Sequence, residues 1–424
     1  MTSSVHATES LVFSVLLQLI VMIAAARLLH VAARKLGQPG AVGEIVAGLL
    51  LGPSLLGWAA PDVSLALFGA KPAQAVTILS QLGLTLLMFQ IGAEFEFAHL
   101  KERQPRRAAL LIAAVSLAVP FGLGVMVGHY SHDRLAPAID TNIYSLFIGV
   151  AMAITALPIL GRILVQFDLQ RHKLGVVAIA AAAINDVVGW IMLAMVSALA
   201  AAQLSWGASL LQLGGLALLI LAARFLLAPL ATWLVQRYPV EDGVLSPSLM
   251  AITLCLIFAL AICTFALGLF AIFGGFLAGL LFHRHLDFVA AWRRQVGGFV
   301  LVFFLPIFFT FTGLRTNLLG LSGDLDWLAV VLAAAILGKI IPVYFAARAS
   351  GFSSDESWTL GSLMNTRALM ELIVLNVGYE LGFLPPSIFA MLVLMAVLTT
   401  LMTGPLLQLL LPRLGHKVGA GIEA

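Results

Sequence analysis

An all-α, polytopic membrane protein is the fold class this sequence predicts, and three observations carry it. Of 424 residues, 61% are hydrophobic and 10% are charged, where a soluble domain carries about 25% charged residues. The apolar residues come in continuous runs of about 20 rather than in alternation, which suits membrane helices and excludes a β-barrel. The basic residues gather in the short segments between runs. With a net charge of only +3, that placement suggests no nucleic-acid surface.

Thirteen runs emerge, at about 10–33, 41–57, 75–97, 107–130, 142–166, 174–201, 207–235, 246–265, 267–282, 296–314, 326–348, 357–382 and 386–411. The second and ninth are short, and the junction of the eighth with the ninth can be drawn differently. The first has no basic residue ahead of it and no small-residue cleavage site, so it reads as a retained span. An odd count puts the two termini on opposite sides. With the N-terminus outside, sixteen of the 23 Lys and Arg lie in cytoplasmic segments. Three (Lys71, Arg134, Arg315) lie in outer ones, and Arg27, Arg224, Lys339 and Arg367 lie within runs. That bias sets the expected orientation.

The fifth run is interrupted at mid-depth. Ala153-Ile-Thr-Ala-Leu-Pro158 puts Thr155 and Pro158 near the centre, and a proline there frees the Ile154 carbonyl from its helical partner. An opened helix with a hydroxyl offers ligands to a hard cation. The sixth run carries Asp186 at its middle, with Asn185 beside it. A mid-membrane aspartate costs roughly 2.5–3.5 kcal/mol on insertion scales, so fold stability is a poor reason to keep it. The reading is a site that binds a proton or a cation, and its alternative is a carboxylate paired to an intramembrane Arg or Lys to hold helices together. Neighbouring helical residues point about 100° apart, so Asn185 does not necessarily share a ligand with it.

In the eleventh run, ILGKIIP sets Lys339 deep in the bilayer, where pairing with an oxygen-rich site is expected over snorkelling. The twelfth is interrupted by Gly361-Ser-Leu-Met-Asn-Thr-Arg-Ala368, which includes Asn365 and Thr366. Arg367 and Glu371, four apart on one helix face, are expected to form a structural pair. Glu44, Glu94 and Glu96 stand near span ends, where a solvated or gating carboxylate and one with no role are equally open readings. The Phe-rich FVLVFFLPIFFTF reads as packing or lipid contact. Cys255 and Cys263, eight apart on one helix, are about 12 Å apart by rise, too far to bridge.

Interrupted segments at corresponding positions of two halves point to a transporter site. Pairing runs one to six with eight to thirteen gives inverted repeats, about 10–201 and 246–411, around a linker helix at 207–235. The chain then reads as one membrane domain, 1–424, with no soluble regulatory domain. No GxxxxGK[ST] loop is present, so an ATP-driven step is not expected; the transporter reading itself expects no cofactor and no enzymatic role. An intramembrane aspartyl protease needs two facing aspartates, and Asp186 alone is deep in a run.

Several stretches together carry a family resemblance: AITALPILGRIL, AAINDVVGW, FFLPIFFTFTGLRTNL, GKIIP, LMNTRALMELIVLNVG and GEIVAGLLLGPSLLG. They resemble the second branch of the monovalent cation:proton antiporter superfamily, near plant cation/H⁺ exchangers and bacterial Na⁺(K⁺)/H⁺ antiporters. The resemblance implies a sodium/proton antiporter-like fold of about 13 helices, with crossed half-helices in the fifth and twelfth spans. It also implies a core bundle, a dimerisation domain, elevator-like alternating access and a homodimer in the lipid of a bacterial inner membrane. The N-terminus would be periplasmic and the C-terminus cytoplasmic. By resemblance, Asp186 is the aspartate that carries cation (Na⁺ or K⁺) or proton, Asn185 the position before it, Thr155 the threonine of the unwound crossover, and Lys339 the basic residue facing the site. Electrogenic members carry two adjacent acids, and Asn185 stands in the first place here. Potassium-efflux relatives carry a nucleotide-binding domain and plant exchangers a long hydrophilic tail, neither of which this chain has.

The sequence therefore predicts a secondary-active Na⁺ or K⁺/H⁺ antiporter, electroneutral in its exchange. Rival readings are an organic anion carrier on the same fold and the transporter subunit of a potassium efflux system.

Overall fold

A computed structural model describes residues 2–69, 74–94, 103–169, 172–201, 214–215, 217–267 and 270–415. Glu96, named above, lies outside them. Regular structure among the described residues is helical, apart from one isolated bridge between Glu241 and Val244. In order, α1 spans Thr2–Lys35, α2 Gly40–Leu51, α3 Leu56–Ala59, α4 Pro61–Phe68, α5 Gln74–Ala93 and α6 Arg103–Leu135. Next come α7 at Thr141–Ala153, α8 at Leu157–Gln166, α9 at Lys173–Ala201 and α10 at Ala217–Arg237. Then follow α11 (Pro247–Ala266), α12 (Ala271–Phe282), α13 (Leu286–Gly297), α14 (Val300–Leu314) and α15 (Leu325–Ala349). The last three are α16 (Ser354–Met364), α17 (Leu369–Glu380) and α18 (Pro386–Leu410).

Among the described residues each of the thirteen runs overlaps helix, with 207–213 of the expected linker helix outside them, but thirteen is not the number of continuous spans. Among the described residues nine helices are long and apolar enough to cross a membrane, or ten if α13 and α14 form one bent span. The fifth and twelfth runs are each two shorter helices, and α12 has only 12 residues. The tenth run, 296–314, corresponds to α14, which meets the preceding α13 at a bend of 43°. π-helical turns flank the bend at Arg293–Gly297 and Val300–Phe304, and such turns open the i→i+4 ladder where a helix changes direction.

Local chemistry fixes several ends. Asp140 caps α7 by accepting from the Asn142 and Ile143 amides. Ser353 and Glu356 close a capping box on α16, which satisfies two amides that the first turn leaves unpaired.

The described chain divides into two compact units, one of Met1–Ile23, Leu65–Glu96 and Ser197–Phe311, the other of Ala24–Ser64, Phe97–Val196 and Thr312–Ala424. In the first, glycines let α5 and α12 approach backbone to backbone. A Cβ at Gly92 would strike the Phe276 carbonyl, and one at Gly279 the Phe89 carbonyl. Close approach through small residues is how membrane helices gain packing where no hydrophobic effect operates between them. Phe89 also meets Phe282, Phe288 and Trp292 edge-on. Glu94 accepts from Gln90 Nε2 at 3.1 Å. Cys255 and Cys263 are exposed on α11 and unbridged.

The second unit holds α6 against α7 through Gly124 and Gly128, and α15 against α6 through Gly338. On one rim Arg134 ties α6 to the start of α15, pairing with Asp324 and Asp326 at 2.8 Å each. All the candidate site residues lie in this unit.

Candidate functional site

Two interrupted helices meet at their breaks. α7 stops at Ala153, Ile154 is extended at φ −68° and ψ 142°, and α8 begins at Leu157. Pro158 is the second residue of α8. The run is interrupted where the sequence places the break, and a proline in the first turn of the new helix needs no donor of its own.

The second break runs from Asn365 to Ala368, between α16 and α17, and Ala368 takes φ +79°. A non-glycine residue in that region is strained backbone, held by its surroundings. The breaks are bonded to each other. The Ala156 amide donates to the Thr366 carbonyl at 3.1 Å, and the Thr155 hydroxyl donates to the Met364 carbonyl at 3.3 Å.

Asp186 lies on α9 with 1% of its surface exposed. Neither of its oxygens has a hydrogen-bond partner among the described residues. The Leu157 amide, first of α8, faces it without closing a bond of good geometry, and the Lys339 ammonium acts on it through space. A helix N-terminus attracts negative charge through its free amides. Gly189, one turn after Asp186, leaves no room for a Cβ against Ile154, so α9 lies tightly on the first break.

Asn185 is equally buried and points its amide elsewhere. Nδ2 donates to Ser116 Oγ at 2.7 Å and to Thr155 Oγ1 at 3.4 Å, while Oδ1 has no partner. Lys339 is fully buried and donates to two carbonyls, Ser116 at 2.7 Å and Ala153 at 2.5 Å. It therefore holds one carbonyl that the end of α7 leaves open.

Arg367 is fully buried too. It donates to the carbonyls of Ala151 and Ala335, each at 3.4 Å, and lies 3.7 Å from Glu371 Oε2. The two do pair, but not on one helix face. Arg367 precedes α17, so the pair bridges the break to the first turn of the helix. Thr400 and Thr403 of α18 support this break, by accepting from the Arg367 amide at 3.2 Å and from the Thr366 hydroxyl at 3.4 Å. Asn365 is buried with neither polar side-chain atom bonded.

The crossing thus brings together Thr155, Asn185, Lys339, Arg367 and Glu371 through bonds or shared partners, with Asp186 facing the α8 terminus. Sequence reasoning missed Ser116, whose hydroxyl holds Asn185 and whose carbonyl holds Lys339. It also missed Thr400 and Thr403. Their signal was only a hydroxyl within an apolar run. Glu44, read at a span end as solvated, gating or without a role, is 3% exposed.

An all-helical membrane protein with two broken helices joined at their breaks falls in the class of secondary transporters built on discontinuous helices. The comparisons are specific beyond that. The profile of the transmembrane sodium/hydrogen exchanger family matches residues 19–412, and the chain belongs to that family. It is 36% identical over 410 residues to the Na(+)/H(+) antiporter NhaS4 of Synechocystis, covering 95% of this chain and 98% of that one. To the K(+)/H(+) antiporter 1 of Saccharomyces cerevisiae it is 31% identical over 94% of its length, which spans 46% of the yeast protein. The sodium proton antiporter MjNhaP1 from Methanocaldococcus jannaschii superposes with a TM-score of 0.66 at 16% identity, over 96% of this chain and 99% of that one. That last likeness is one of fold.

Proposed function

We propose that the protein is a secondary-active antiporter exchanging Na⁺ or K⁺ for H⁺, with Asp186 binding cation and proton in turn. The observation that carries this is a buried carboxylate with no protein partner, set before a helix terminus at the crossing of two broken helices. Bound cation excludes the proton, and protonation releases the cation. The empty charged site crosses the membrane poorly because its desolvation is costly, so exchange stays coupled. Thr155 Oγ1, Asn185 Oδ1 and Asn365 Oδ1 are the further oxygens available to a hard monovalent ion.

Lys339 and Arg367 are engaged with carbonyls and Glu371, which disfavours an organic anion carrier needing free cations. With Lys339 so held and an amide at 185, one proton moves per cation and no net charge crosses. Alternating access arises from repeats at about 10–201 and 246–411 around the helix linker. The protein is a homodimer in a bacterial inner membrane, N-terminus periplasmic and C-terminus cytoplasmic. The charge bias of the loops supports that direction.

Proton flux in proteoliposomes, scanned over Li⁺, Na⁺, K⁺ and Rb⁺ and across pH, tests the reading. Exchange with Na⁺ or K⁺ is expected, and its absence for every cation removes the proposal. Each elementary charge moved is worth about 2.3 kcal/mol per 100 mV. A reversal point that shifts with imposed voltage therefore excludes one-for-one exchange.

A further inference from the structure

Ser116 stands on α6, fully buried, and touches the crossing twice. Its hydroxyl lies 2.7 Å from Asn185 Nδ2 on α9, and its carbonyl 2.7 Å from Lys339 Nζ on α15.

The carbonyl is open because of a residue one turn on. Pro120 lies inside α6, and a proline has no N–H to give the carbonyl four residues before it. The Lys339 ammonium donates there instead. α15 comes near enough because Gly338, next to Lys339, has no side chain. A Cβ on it would overlap Leu123 and lie 3.9 Å from the Pro120 Cα. The turn that carries Ser116, one helical bond short, is thereby pinned from a second helix, and its hydroxyl is set in place with it.

The hydroxyl proton is already committed. Ser116 Oγ donates to the Ala113 carbonyl at 3.2 Å, so it offers Asn185 only lone pairs. Thr155 Oγ1 donates to the Met364 carbonyl at 3.3 Å and does the same. Both hydroxyls therefore call for the amide nitrogen of Asn185, whose two hydrogens serve them at 2.7 Å and 3.4 Å. Oδ1 is left on the other branch of the amide, buried and with no partner among the described residues. Turning the amide over would set that oxygen against two sets of lone pairs.

We propose that Ser116 is a positioning residue that sets cation affinity by orienting Asn185. Its hydroxyl holds the amide in the one orientation that leaves Oδ1 to the cation. Without that hydroxyl the amide turns, Oδ1 accepts from the Thr155 hydroxyl, and the cation loses one neutral oxygen. The inference deepens the antiporter reading and rests on it for the effect on affinity.

The test is a double-mutant cycle read in KM and maximal rate, from cation-dependent proton flux in proteoliposomes with Na⁺ and with K⁺. For the preferred ion, Ser116→Ala is expected to raise KM about threefold to tenfold, the worth of one neutral hydrogen bond, while the maximal rate changes less than about twofold. Asn185→Ala is expected to raise KM at least as far. Adding Ser116→Ala to Asn185→Ala is expected to leave KM within about twofold of Asn185→Ala alone, because the hydroxyl acts only through the amide. A serine that merely packs α6 lowers the maximal rate or the yield and leaves KM where it was. A rise of less than about twofold in Ser116→Ala, or two effects that multiply in full in the double variant, overturns the proposal.

Should the wild type exchange no cation, the antiporter reading fails and the contact is read from stability. The same three variants are then compared by melting temperature in detergent. Shifts that are non-additive support the Ser116–Asn185 contact, and shifts that simply add overturn it.

Discussion

The two helix breaks at the crossing solve the same backbone problem with different means. The first, Ile154–Ala156, contains no charge. It relies on side chains from elsewhere, with Lys339 on the Ala153 carbonyl, Asn185 on Thr155, and Asp186 before α8. The second, Asn365–Ala368, carries its own cation in Arg367, compensated within one turn by Glu371 and supported by Thr400 and Thr403. One break carries no charge of its own and is served by side chains from two neighbouring helices, α9 and α15. The other is charged and largely self-compensated. Asp186 faces the first break, where the cation that acts on it, Lys339, is itself engaged by two carbonyls, while the second break neutralises its own charge.

The sharpest attack on this contrast is Asp186→Asn. Cation-dependent proton exchange in proteoliposomes is expected to vanish, while the melting temperature in detergent holds or rises, because an unpartnered buried carboxylate is removed. Substantial residual exchange would take Asp186 out of the mechanism.

Arg367→Ala attacks the other side. It leaves Glu371 buried without its partner, a loss of about 3–5 kcal/mol for a broken buried pair. Thermal denaturation should therefore show a large drop in stability. An Arg367→Ala protein that keeps its melting temperature yet loses transport would place the second break in the ion path.

Thr155→Ala is expected to act more gently. A lost neutral hydroxyl ligand is worth about 0.5–1.5 kcal/mol, so apparent cation affinity should weaken by roughly two- to tenfold. Maximal rate should change less, because carbonyls of the opened backbone remain. Unchanged affinity would reduce Thr155 to a support for the Met364 carbonyl.

The smallest effect belongs to Asn365→Ala. No protein hydrogen bond is lost with this side chain, so melting should move little. A rise in KM of less than about threefold, the value of one weak neutral contact, is expected. A larger rise would move the cation toward the second break and weaken the comparison.

Much of this was legible in the sequence, and for definite reasons. Apolar runs report membrane helices because lipid leaves backbone groups no other partner. Both breaks announced themselves, one through Thr155 and Pro158 and the other through the polar run at 361–368. Asp186 stood out because its placement is expensive. What stayed hidden was partnership. Ser116 reads as an ordinary small residue in an apolar run, and only the fold sets its hydroxyl on Asn185 and its carbonyl on Lys339. Arg367 and Glu371 have helical spacing, yet the helix starts between them. Glu44 sits near a span end where water is one natural partner, and His30 bonds to it instead. The bend between α13 and α14 comes from π turns in a stretch whose hydropathy gives no sign of them.

Lys339 is held by the carbonyls of Ser116 and Ala153, and the amide facing Asp186 belongs to Leu157. These three contacts are made by main chain, so exchanging the side chains at 116, 153 or 157 deletes none of them. A side-chain scan of this protein will therefore undercount its site, reporting the carboxylate, the ammonium and the hydroxyls while passing over the groups that orient them. Backbone amide-to-ester replacement at Leu157, which removes one N–H and keeps the side chain, addresses that silent half directly.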